Sequence, residues 1–316
     1  MEEILVQETI KFEKRKWSKE RIKKEIMGQM MALPGVIFMI VFTILPIYGL
    51  YVAFSRFHIL RPIMDAEFVG LHWFRVMWNH PLFMQALRNT VGMNVIRIVI
   101  SFPLTIIVAI MINELTNLRF KKTVQTISYL PFFISWIIIG GMMGEWFRTF
   151  GLVNTLLIDL NIISNPIQFL TNADYYWAVA IISDIWRNLG WGTILYLAAM
   201  TTIDPTLYEA AKIDGATKLQ QIRNITIPGI RHIIAINLVL TISGLLGSNL
   251  DQTLILQNPM NFTRSDVLGS FVFRVGLSQG NFSLGAAVGL VISIISFVLV
   301  IITNILSKKI GDADIF

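Results

Sequence analysis

Residues 284–306 read LGAAVGLVISIISFVLVIITNIL, an uninterrupted run of 23 residues without a charge. A bilayer core about 30 Å thick needs about 20 mostly apolar helical residues to cross it. This stretch has that length, and it is apolar on every face. Five runs upstream also qualify: residues 30–55, 89–113, 123–147, 177–201 and 229–256. The first, third and sixth of the series are clean. The second carries Arg97, the fourth carries Asp184 and Arg187, and the fifth loses its apolar character after Gly247. The expected fold class is an all-α membrane protein with six transmembrane helices.

Composition points the same way. Of 316 residues, 54% are hydrophobic and 15% charged, where a soluble domain carries about 25% charged residues. With no cysteine, the chain has no disulfide, thiolate metal ligand or cysteine nucleophile. The expected organisation is a basic N-terminal tail (1–29), a membrane domain (30–307) and a short C-terminal tail (308–316). The stretch before the first span lacks a small-residue cleavage pattern, so it reads as a retained tail rather than a signal peptide.

Basic residues flanking the spans set the orientation, because they accumulate on the cytoplasmic side. The tail, the 2–3 turn, the 4–5 segment and the C-terminus together hold 17 Lys and Arg. The opposite loops hold 7, all arginine: Arg56, Arg61, Arg75, Arg88, Arg148, Arg264 and Arg274. Both termini are expected in the cytoplasm. The formal charge of +6 is thus a matter of topology rather than of nucleic-acid binding. Trp146, Tyr175, Tyr176 and Trp177 cluster near span ends, where amphipathic rings favour the headgroup level.

The segment 203–228 between spans four and five has its own helical punctuation. Asp204 and Pro205 read as N-cap and first helical position. Leu207, Ala210, Ala211 and Asp214 follow at helical spacing, and Gly215 can take the left-handed conformation that ends a helix. Thr217 with Gln220 is a capping-box pattern for a second short helix, which Pro228 should end. A helix-turn-helix on the cytoplasmic face is the result.

Glu209-Ala210-Ala211, Gly215 after three residues, Ile225 after nine more and Ile227-Pro228 resemble the EAA loop of ABC importer permeases. Where that family usually has Leu-Pro, this chain has Ile227-Pro228. Leu130-Pro131-Phe132-Phe133-Ile134-Ser135-Trp136, Ser183-Asp184-Ile185-Trp186-Arg187 and Trp191-Gly192-Thr193 are similar to the polysaccharide-permease subgroup, which is related in architecture to maltose-type and alginate-type importers. The resemblance covers about residue 30 to the C-terminus.

It implies the type I importer permease fold in a bacterial plasma (inner) membrane. It also implies four kinds of partner: a second permease forming a heterodimer, two cytoplasmic ATPases, an extracellular or periplasmic sugar-binding protein, and membrane lipid. Glu209, Ala210, Ala211, Asp214, Gly215, Ile225 and Pro228 would then form the coupling joint. Small side chains permit close approach, and Glu209 offers a charge-assisted anchor. The chain has no G-x-x-x-x-G-K-[ST] phosphate loop, so ATP and Mg would be bound by the partner ATPase and no cofactor by this chain.

Charged and amide side chains inside spans usually face a bundle interior or aqueous cavity. Asp184, Trp186, Arg187, Asn188 and Trp191 lie on span four, and Asn249, Asp251 and Gln252 on the outer half of span five. These groups suit sugar hydroxyls and pyranose faces, which makes them candidates for a carbohydrate pathway. Asp184 and Arg187, three residues apart, equally read as a structural ion pair. Arg97 reads as structural. Gly140, Gly141 and Gly144, and Gly285 with Gly289, form small-residue stripes suited to helix contact. His58, His72, His80 and His232 lack metal-ligand spacing. Phe12, Trp17, Ile22 and Ile26 among the basic tail residues fit either a membrane-surface helix or a solvated tail.

Two other functions compete. An ion-coupled secondary carrier would tend to show internal repeats, and none is visible. A membrane enzyme would need a clustered nucleophile and base or a metal constellation, and neither is present in the sequence.

Overall fold

The computed structural model describes residues 19–247 and 250–311, which are mostly helical with one two-stranded antiparallel ladder. Phe12, Trp17, Asn249 and the last residues of the C-terminal tail lie outside the described residues. The chain divides into two compact units, 1–51 and 52–316.

Helix α1 (Lys19–Met39) passes through a π turn at Ile40–Ile44 into a tighter 3₁₀ segment, Leu45–Phe54, whose last three residues already belong to the second unit. The Leu45 N–H reaches back to the Ile40 carbonyl, which widens the backbone just before Pro46, a residue with no N–H to give. Ile26–Phe54 is one apolar helical stretch of 29 residues.

The second unit continues with strands β1 (Ser55–Arg56) and β2 (Glu67–Phe68), paired Ser55 to Phe68. Helices α2 (His72–Asn79), α3 (Pro81–Asn113), α4 (Leu118–Tyr129), α5 (Trp136–Trp146), α6 (Leu152–Asp159) and α7 (Ala173–Met200) follow. Then come α8 (Pro205–Ile213), α9 (Lys218–Gln221), α10 (Ile227–Gly229), α11 (Arg231–Ser243), α12 (Leu250–Leu256), α13 (Phe262–Ser265), α14 (Leu268–Val272) and α15 (Phe282–Gly311).

Among the described residues, three helices can cross a membrane by length and composition: Ile26–Phe54, Pro81–Asn113 and Phe282–Ile305. The number rises to five if each of two bent pairs serves as one span. The expected clean third span is in fact broken. Leu118–Phe133 and Trp136–Trp146 meet at 100°. A 3₁₀ turn over Leu130–Phe133 contains Pro131, Ile134 is extended, and α5 restarts after Ser135. Hydropathy stays high through the corner, so a window over composition does not register it. The fifth expected span also departs from a straight rod: Lys218–Gly229 and Arg231–Ser243 meet at 63°, and α11 stops before Gly244. Helix α7 has the length, 28 residues, and carries Asp184 and Arg187 midway.

Glycines at helix crossings set how close the backbones come. A Cβ on Gly92 would meet the Trp177 ring, one on Gly192 the Thr105 side chain, and one on Gly190 the Ser128 carbonyl of α4. Of the small-residue stripes, Gly140 receives Ile255 and Gly285 faces the Gly276 Cα, while Gly141, Gly144 and Gly289 face open space. Tyr176, expected near a span end, is a buried core residue in one cluster with Ile139 and Val179. Gly190→Ala should cost about 1–3 kcal/mol by forcing α4 and α7 apart. Gly141→Ala should be harmless, and thermal unfolding of the purified complex distinguishes the two.

Candidate functional site

Helix α8 begins as its residues require. The Thr206 N–H donates to the Asp204 carboxylate at 2.9 Å, and Pro205 occupies the first turn. That backbone donor keeps the Asp204 carboxyl below its ordinary pKa. The helix ends in a Schellman motif: the Ala216 N–H reaches the Ala211 carbonyl at 2.8 Å and the Gly215 N–H the Lys212 carbonyl at 3.1 Å. Gly215 has φ +75°, and a Cβ there would meet nothing within 4 Å. Thr217 and Gln220 form the expected capping box, and Gln221 is buried with its amide on the Ala216 carbonyl.

The second short helix does not end at Pro228. A π turn at Ile222–Thr226, closed by the Ile227 N–H on the Ile222 carbonyl, carries it on to Gly229, and the bend falls at Ile230. The wider turn again accommodates a proline with no N–H, as at Pro46. The module is braced from behind. Tyr208 shares a 2.9 Å hydrogen bond with Thr226, and Lys218 Nζ lies 2.7 Å from Glu114 Oε2 at the end of α3. Outward it presents Leu207, Glu209, Ala210, Asp214 and Pro228, all exposed, with Ala211 and Ile225 half-buried. Ile213 and Leu219, 87% and 74% exposed, flank the turn. Glu209 has no hydrogen-bond or ion-pair partner among the described residues.

A second polar assembly lies where α3, α7, α11 and α12 converge. Arg97 is its centre. Its Nε lies 3.4 Å from Asp184 Oδ2, a charge contact without a well-aligned hydrogen bond. One terminal nitrogen donates to Asn94 Oδ1 and the other to Gln252 Oε1, both at 3.2 Å. The Asn188 amide donates to Asp184 Oδ1 at 2.9 Å. Gln252 is buried and donates to the Ala180 carbonyl and Ser183 Oγ at 2.7 and 2.9 Å. Asn94 clasps the break after α11 by donating to the carbonyls of Leu245 and Gly247 at 2.6 and 2.8 Å.

Two adjoining cavities open beside this network. One of ≈ 300 Å³ is lined by Asn94, Arg97, Thr241, Gly244 and Gly247. The other, ≈ 270 Å³, is lined by Asp184, Asn188, Thr105, Tyr196, Asn237 and Thr241 among others. Their hydroxyl, amide and ionic groups can exchange hydrogen bonds with a solute rich in hydroxyls.

The sequence-based candidates therefore separate. Asp184 and Asn188 line a cavity, and Gln252 backs it. The expected pairing of Asp184 with Arg187 is replaced by the Arg97 bridge. Arg187 turns away, donating to the Ile134 carbonyl at 3.3 Å and lying over the rings of Phe132 and Trp136. It thereby satisfies a backbone acceptor exposed by the break between α4 and α5. Trp191 follows it: one indole face is stacked on Phe132 at 4.3 Å, with Phe133 edge-on. Trp186 sits edge-on to Trp146, and Asp251 is exposed on α12. Sequence reasoning read Arg97 as structural, in keeping with its bridge to Asp184, and passed over Asn94, Asn237 and Thr241. The signal was present: Asn94 and Arg97 are i, i+3, and Asn237 and Thr241 are i, i+4, so each pair shares one face of an apolar helix.

Residues 101–312 match the family described as binding-protein-dependent transport system inner membrane component. The polygalacturonan/rhamnogalacturonan transport system permease protein YteP of Bacillus subtilis (strain 168) is 36% identical, over 97% of this chain and 95% of its own length. Protein LplB of the same organism is 31% identical, over 93% and 92%. Among solved structures, the bacterial alginate ABC transporter in complex with alginate pentasaccharide-bound periplasmic protein superposes with a TM-score of 0.85 at 31% identity, covering 94% of this chain and 99% of that one.

Proposed function

The chain belongs to the family of binding-protein-dependent transport system inner membrane components and is a permease subunit of a carbohydrate ABC importer; we propose that its cargo is an oligosaccharide handed over by an extracellular or periplasmic binding protein. It is a multi-pass inner-membrane transport component rather than an enzyme, and the family leaves no place for the secondary-carrier alternative. The polar lining of the two cavities supports a hydroxyl-rich cargo, and the exposed α8–α9 module carries the coupling to ATP. Two capped helices, joined at a left-handed glycine and braced on α3, present a carboxylate without a partner among the described residues and two bare aliphatic side chains. Such a rigid knob suits a groove in a cytoplasmic ATPase.

In this reading α4 with α5 counts as one crossing and α11 with α12 as another, and with α7 they complete six, both termini being cytoplasmic as the 17-to-7 charge split directs. A second permease closes the pathway from the other side. Asp184, Asn188, Asn237 and Thr241 line it, with Arg97 and Gln252 fixing their geometry. ATP and Mg stay with the ATPase.

Single cysteines test this cleanly because the chain has none of its own. In cells carrying the complete importer, Asn165→Cys and Thr263→Cys should react with an impermeant external thiol reagent, and Thr217→Cys should be shielded. All three positions are exposed. External labelling at position 217 would defeat both the topology and the ATPase-facing role of the loop. Uptake of a labelled oligosaccharide by the same cells should require the binding protein and cellular ATP.

A further inference from the structure

Helix α2 carries two apolar stripes, and only one is used. On the first, Trp73 Nε1 donates to the Ser55 carbonyl at 2.9 Å and Met77 is buried with Phe83, Phe271 and Val288. The second, at i, i+3, i+4 and i+7, is Leu71, Phe74, Arg75 and Trp78; Leu71 and Trp78 are 59% and 58% exposed. Between this stripe and Val291 of α15 runs an open groove of ≈ 520 Å³, apolar along its walls. Arg75 stands on its rim, exposed and without an ion-pair partner among the described residues, and no carboxylate lines the groove.

Position identifies the occupant. Helix α15 crosses the bilayer, and Val291 lies about 13 Å along it from Phe282 at about 1.5 Å per residue. Val291 therefore lies at acyl-chain depth below the start of the span, and α2 packs against that end of α15. A short helix with aromatic and arginine side chains on its bare stripe is suited to the headgroup boundary. We propose that the groove between α2 and α15 binds one anionic phospholipid, with an acyl chain against Leu71, Phe74, Trp78 and Val291 and its phosphate on Arg75. This needs only that α15 spans the membrane, and it stands apart from the identity of the cargo.

The test uses the whole importer reconstituted in phosphatidylcholine vesicles, with spin-labelled phosphatidylglycerol or phosphatidylcholine as probe. Wild type should immobilise phosphatidylglycerol in preference to phosphatidylcholine. Arg75→Gln should weaken phosphatidylglycerol retention about fivefold, the effect of one basic group near a membrane surface. Val291→Trp, which fills the groove and keeps Arg75, should lower retention of both probes. Equal retention of phosphatidylglycerol by wild type and Arg75→Gln overturns the proposal, as does an absence of preference in wild type. Crosslinking of Trp78→Cys to another subunit, with no immobilised lipid, would make the groove a protein contact and also overturn it.

Discussion

Asp184→Ala should destabilise the folded chain by about 3–5 kcal/mol, the usual cost of removing one partner from a buried ion pair. Asp184 and Arg97 have side chains only 8% and 14% exposed, so solvent screens them little. Without the carboxylate, the guanidinium keeps two neutral acceptors, Asn94 and Gln252, and its charge loses its counterion. Asn188 loses its acceptor as well. The Asp184→Ala, Arg97→Ala double variant should recover much of the lost stability, because no unpaired charge remains buried. Asp184→Ala with Arg187→Ala should not, since Arg187 is engaged at Ile134. Unfolding midpoints of the detergent-purified complex give the comparison. A double variant that assembles but transports poorly would place the pair on the sugar's path as well as in the frame. If Asp184→Ala assembles and melts like wild type, the bridge is not structural.

Gly215→Pro should abolish uptake while the chain remains inserted and assembled. Proline fixes φ near −65°, whereas position 215 sits at +75°, and it removes the N–H that closes on the Lys212 carbonyl. The Schellman turn cannot form, and α8 loses its fixed angle to α9. A graded series makes the claim sharper. Gly215→Asn should be close to wild type, because asparagine tolerates the left-handed region. Gly215→Ala should cost about 1 kcal/mol through backbone strain alone, the space around it being empty. Uptake and substrate-stimulated ATP hydrolysis in reconstituted vesicles report the series. Normal uptake by the proline variant, with the ATPase fully bound, would remove the loop from the coupling role.

Legibility followed the range of the interactions. The start of α8 at Asp204 and Pro205, its end at Gly215 and the box at Thr217 and Gln220 all follow from contacts within five residues. Each appeared in the structure where the residues put it. The extension through Pro228 was missed because a π turn, needing only one extra residue in the loop of a hydrogen bond, absorbs a proline that would otherwise stop the helix. The corner at Ile134 was missed for a different reason: its residues are apolar on both sides of the bend.

Membrane residence and the charge bias between the two loop sets come from sums over residues. Each apolar side chain adds its own transfer free energy, and each Lys or Arg its own bias, whatever lies beside it in space. The amino-acid order was therefore enough for both. Partner choice is not such a sum. Asp184 has Arg187 one turn away on its own helix, yet its counterion is Arg97, 87 residues upstream, because α3 and α7 approach closely at glycines 92 and 192. Arg187 is drawn off by a carbonyl that exists as a free acceptor only because α4 and α5 break apart beside it. Those distances between remote segments arise when the helices pack, and packing placed the ion pair, the cavities and the roles of Trp191 and Gln252.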